Sequence, residues 1–97
     1  MTHTITLVSD IYLSKTEALR ALSELFTTPI DDSDPSDAVL NLEGGVVLSI
    51  EVPKFGEDLP LTIDLTGQDL SSLERVSSDV IDRVGGGLSW PLVVVGE

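Results

Sequence analysis

Two stretches with apolar residues at helical spacing are set among five short stretches in which apolar and polar residues alternate. Ser14-Lys15-Thr16-Glu17 opens the first helical stretch as a capping box. The Ser14 hydroxyl can accept from a free backbone N–H of the first turn, and Glu17 can reach back. Ala18, Leu19, Leu22, Leu25 and Phe26 follow on one helical face, and Pro29 requires the helix to end before it. Ser71-Ser72-Leu73-Glu74 repeats the pattern, with Leu73, Val76, Val80, Ile81 and Val84 behind it. Gly85-Gly86-Gly87 then reads as the helix stop.

The alternating stretches are residues 4–8, 38–42, 46–52, 61–65 and 92–95. Gly44-Gly45, between the second and third, suggests a two-residue hairpin turn. Side-chain parity argues against it, because such a loop sets Leu42 opposite Val47 and Leu40 opposite Ser49 and mixes the two faces. A three-residue loop over residues 43–45 sets Leu42 opposite Val46 and Leu40 opposite Leu48. Gly45 then supplies the left-handed residue of a bulged turn. The last stretch, Leu92, Val93, Val94 and Val95, is apolar on both faces, the pattern of a central strand. Residues 30–36 read as an acidic loop and residues 53–60 as a longer one.

The order is therefore β-α-β-β-β-α-β. Two amphipathic helices can cover only one face of a sheet. The expected fold is α+β: a two-layer sandwich with a mostly antiparallel sheet of about five strands and both helices on one face. It is loosely ferredoxin-like with an extra strand, and forms a single domain over residues 1–97. The uncovered face would carry Thr4, Thr6, Asn41, Val47, Ser49, Glu51, Thr62 and Asp64.

Seventeen acidic residues against five basic ones give a net charge of −12. Disordered acidic chains are poor in aliphatics, whereas 41% of this chain is hydrophobic, so it is expected to fold. Aromatics are few, which argues for Trp90-Pro91 against the core. The absence of cysteine removes disulfides, thiolate chemistry and cysteine metal sites. No signal-peptide pattern and no apolar run of membrane-spanning length occurs, and a cytoplasmic location is expected. The charge disfavours nucleic acid and anionic membranes and favours cationic partners. Lys15, Arg20, Lys54, Arg75 and Arg83 are scattered and form no basic patch.

Asp31, Asp32, Asp34 and Asp37 make the densest carboxylate cluster. Asp32, Asp34, Ser36 and Glu43 have part of a calcium-loop spacing. Asp37 stands where the sharp-turn glycine belongs, Pro35 stiffens the loop, and a hairpin follows instead of a helix, so no metal is expected. The cluster reads as a solvated loop or as a docking surface for lysines and arginines. Phe55 with Glu57 and Asp58 is a second candidate, an aromatic anchor flanked by acids. His3, the only histidine, would have to serve any catalytic triad or histidine metal site. No Gly-x-Ser-x-Gly elbow occurs, and Gly85-Gly86-Gly87 follows a helix instead of opening one, which is wrong for a phosphate cradle. Neither catalysis nor a cofactor is expected.

Acidic throughout, carrying the loop Asp31-Asp32-Ser33-Asp34-Pro35-Ser36-Asp37 and lacking catalytic residues, the chain resembles in character the small immunity proteins of bacterial contact-dependent and other polymorphic toxin systems. The resemblance implies a cytoplasmic inhibitor that binds one cognate toxin through exposed carboxylates. The alternative is a homo-oligomeric ligand-binding or structural module. Val39 and Val47 on the uncovered face would favour a homodimer, and Glu51 and Asp64 would oppose it. Proteins of salt-loving organisms share an acidic, lysine-poor composition for reasons of solubility alone.

Overall fold

The computed structural model describes residues 2–33, 38–50 and 61–96. The chain runs through β1 (His3–Val8), α1 (Lys15–Phe26), β2 (Ile30–Asp31), β3 (Val39–Asn41), β4 (Val47–Ile50), β5 (Thr62–Gly67), α2 (Leu70–Gly87) and β6 (Val93–Gly96). The strands form one sheet in the order β2-β3-β4-β5-β1-β6, with every neighbouring pair antiparallel. Strands β6-β1-β5-β4 reproduce the split β-α-β arrangement, and β3 and β2 extend it past β4.

Alternation gives the sheet one buried face. Ile5, Leu7, Leu40, Leu48, Ile50, Ile63 and Leu65 point to it and are buried. They meet Ala18, Leu19 and Leu22 of α1 and Leu73, Val76, Val80 and Val84 of α2 in one core. Helix α1 lies over β2, β3 and β4, and α2 over β1 and β5. The result is the expected two-layer sandwich with both helices on one side.

The hairpin between β3 and β4 has the register that parity requires: Leu40 is opposite Leu48, and the Leu42 N–H donates to the Val46 carbonyl at 2.8 Å. Its loop is a single 3-10 turn, Glu43–Gly45. Gly44 and Gly45 both have positive φ, 71° and 73°, so the left-handed role is shared between them and does not fall to Gly45 alone. Helix α1 starts as its box requires, with the Ser14 hydroxyl accepting from the Glu17 N–H at 3.2 Å. The same hydroxyl donates to Glu17 Oε1 at 3.1 Å. The helix ends at Thr27, left-handed at φ 52°, two residues before Pro29.

Four expectations are corrected. Ile30 and Asp31, read as loop, are a sixth strand paired with Leu40 and Val39; two residues are too few to display alternation. The cap of α2 is Asp69, not Ser71: Asp69 accepts from the Ser71 N–H at 3.3 Å and from the Ser72 hydroxyl at 2.8 Å, and the helix begins at Leu70. Gly85-Gly86-Gly87 does not stop the helix. Val84 is buried, Leu88 packs on the core, and the Leu88 N–H donates to the Val84 carbonyl at 3.0 Å, which carries the helix through the glycines. Finally, residues 92–95 do not form a central strand, because β5 occupies the inner side of β1 and leaves β6 at the edge. Val93, Val94 and Val95 are 62%, 46% and 60% exposed. Trp90 packs against the core as expected, while Pro91 is exposed.

The helical glycines give a direct test of local energetics. A Cβ added at Gly85 or Gly86 meets nothing within 4 Å. Gly85→Ala and Gly86→Ala are each expected to stabilise the fold by about 0.5–1 kcal/mol, read as a rise in the thermal midpoint. Gly87→Ala should gain less, because its Cβ would stand 2.6 Å from Leu25 Cδ1 and force that side chain aside.

Candidate functional site

The helices leave one sheet face uncovered. Strand register arranges it in three rows: Asn41, Val47, Thr66 and Thr4; Asp31, Val39, Ser49, Asp64 and Thr6; and Thr62, Val8 and Val93. Thr4, Thr6, Asn41, Val47, Ser49, Thr62 and Asp64 thus lie where alternation sets them, and Glu51 falls outside the described residues. At the centre the Thr6 hydroxyl donates to Asp64 Oδ1 at 2.7 Å. Toward the β2 edge Asp31 accepts from the Ser33 hydroxyl at 2.6 Å, the Ser33 N–H at 3.1 Å and the Asn41 side-chain amide at 2.9 Å.

Acids occur on both layers, but the described cations are confined to one. All four described cations lie on the helices: Lys15 and Arg20 on α1, Arg75 and Arg83 on α2. Arg83 is held there by Asp79 at 3.2 Å and lies over the Phe26 ring, 5.6 Å from its centroid. These groups line a cleft of about 160 Å³ beside Glu43 on the helical side, where the opposite charges already face one another. Among the described residues the open face carries carboxylates, Asp31 and Asp64, and no cation. Asp32 follows at its β2 edge and Asp10 at the end of β1, both exposed.

Where β1 meets β6, the open face ends in a shallow groove of about 430 Å³ formed by Val8, Asp10, Tyr12, Pro91, Val93 and Val95, with Ser9 in its wall. Tyr12 is 65% exposed. The Ser9 hydroxyl is buried and has no hydrogen-bond partner among the described residues.

Of the residues singled out from sequence, Asp31 lies on the open face and Asp32 at its border. Asp34, Asp37, Phe55, Glu57 and Asp58 lie outside the described residues. Among the described residues no group of three or more His, Cys, Asp or Glu could hold a metal ion, and no helix is long and apolar enough to cross a membrane. The groove was not anticipated. Its members are distant in sequence, and the one available signal, a wholly aliphatic final stretch, fits a buried strand as well as an exposed one.

Two carboxyls are held below the usual Asp range: Asp31 by the Ser33 hydroxyl, the Ser33 N–H and the Asn41 amide, and Asp69 chiefly by the Ser72 hydroxyl. Folded-state pKa values depressed in this way add stability that is fully present above the unfolded value of about 3.9 and is lost as pH falls through the folded values. Asp69→Asn keeps an oxygen acceptor at the cap and cannot titrate. The variant should retain its helix at neutral pH and lose less stability than the parent on acidification from about pH 6 to pH 2, followed by circular dichroism in urea.

Fold and site together define a structural class, a split β-α-β sandwich with one carboxylate-bearing sheet face that no described helix covers. Comparison of the chain with protein-family models, with curated proteins and with solved structures finds no match in any of the three.

Proposed function

We propose that the chain is a protein-binding inhibitor of the immunity type, which neutralises a cationic toxin domain in the bacterial cytoplasm by covering it with its open sheet face. The supporting observation is the placement of the cations: among the described residues the open face carries carboxylates and no cation, while all the described cations lie on the helices, where acids accompany them. A surface of one sign steers an oppositely charged protein and speeds its docking. Toxin domains that act on nucleic acid are cationic where they grip the phosphates, so an anionic face competes for the same surface. No catalytic step is assigned to the chain.

The test is capture on the immobilised protein from lysate of the source organism, with a salt gradient for elution. A basic protein that elutes with salt, and whose activity on nucleic acid is abolished by adding the chain back, is the expected outcome. A captured protein with undiminished activity contradicts inhibition. A homo-oligomeric module is the second reading, favoured by Val39 and Val47 on the open face. A stable dimer in sedimentation, with no cationic partner captured, would select it.

A further inference from the structure

We infer that the outer edge of β6 accepts an extended basic segment of the partner as an added strand, whose alternate side chains lie along the groove at Val8, Val93 and Val95. This rests on the reading of the chain as a binder of a cationic protein, and it names how that protein is held.

The two sheet edges differ. Strand β2 is two residues long, follows Pro29 and carries Asp31, three features that discourage pairing with another chain. Strand β6, Val93–Gly96, contains no charge and no proline, and no described strand pairs with its outer side. Its outer N–H and C=O groups, without a partner strand among the described residues, are a template for a further strand. The exposed valines continue into Tyr12 and Pro91, so apolar surface adjoins the free backbone edge.

Charge selects the occupant. A second copy would bring another net charge of −12 against the first. A segment alternating aliphatic residues with lysine or arginine meets both features of the groove. The long stems lie on Val93 and Val95, and the cationic heads reach the exposed Asp10 carboxylate that lines the same groove. An acidic strand would pair its backbone and be repelled; a basic helix would find the charge and leave the β6 edge unpaired.

The probe is a blocked peptide of alternating valine and lysine, about eight residues long to cover the strand. It is titrated into the isotope-labelled full chain and read by amide chemical shifts and hydrogen exchange. Expected are shifts at Val8 and across Val93–Gly96, slowed exchange of β6 amides, and binding weaker by about ten-fold or more when alternate peptide amides are N-methylated. Val95→Lys, at an exposed position that should leave folding intact, should weaken binding by a similar factor. Equal binding by the methylated peptide overturns strand addition. Shifts confined to Glu17, Glu24, Glu74 and Asp82 also overturn it while leaving the charge-based reading standing. Failure of the peptide to bind, with a basic partner still captured from lysate, does the same. Concentration-dependent self-association that Val95→Lys abolishes would assign the edge to a second copy instead.

Discussion

Leu65→Ala is expected to remove about 2–5 kcal/mol of stability, the largest effect of any substitution considered. Leu65 is fully buried on β5, with Ile5 opposite on β1 and Leu48 opposite on β4, both buried as well. Helix α2 closes the site from above. Truncation loses the transfer energy of the deleted carbons and leaves a cavity that three packed elements cannot fill. A domain of this size has a total stability of about 5–15 kcal/mol, so the truncation should remove a large share of it. Urea unfolding followed by the fluorescence of Trp90 should show a lower midpoint at unchanged slope. A loss below about 1 kcal/mol would mean that Leu65 does not sit in the core.

The second large effect is kinetic. If the proposed docking holds, the fourfold variant Asp10→Asn, Asp31→Asn, Asp32→Asn and Asp64→Asn should associate with a captured basic protein about ten-fold more slowly, or slower still, at low salt. The dependence of its rate on ionic strength should flatten as well, since the charges that salt screens are gone. Any one of these changes alone should matter little, because exposed charges act through their sum. A control variant with Glu17, Glu24, Glu74 and Asp82 neutralised on the helical layer carries the same change in net charge. It should keep most of the rate if the open face is the docking surface.

Local signals in the sequence decide the structure where the contacts that matter lie within a few residues. The Ser14 cap, the stop before Pro29 and the Leu40–Leu48 register all follow from contacts within a few residues. The Ser71 box fits its template as well as the Ser14 box does. Asp69, two residues earlier, reaches both Ser71 and Ser72 and takes the cap instead. The propensity of the glycine run favours a helix stop, but packing of Val84 and Leu88 on the core outweighs that weak preference. Strand order is a tertiary property, so an aliphatic stretch such as residues 92–95 fits a central and an edge strand equally well. The acidic candidate residues could be found by composition. The separation of Asp31 and Asp32 from the cations is legible in the sequence too, since Lys15, Arg20, Arg75 and Arg83 all fall in the helical stretches and Lys54 falls in the separate stretch 53–60. The groove is not, because Asp10, Tyr12, Pro91 and Val95 meet only once β6 has paired with β1.

The most direct test is carboxyl footprinting of the chain alone and bound to a basic protein captured from lysate, with carbodiimide-activated labelling read residue by residue in a mass spectrometer. Expected is protection of Asp10, Asp31, Asp32 and Asp64 on binding, while Glu17, Glu24, Glu74 and Asp82 stay as reactive as in the free protein. Protection of the helical carboxylates, with the open-face set still reactive, would contradict docking through the uncovered sheet.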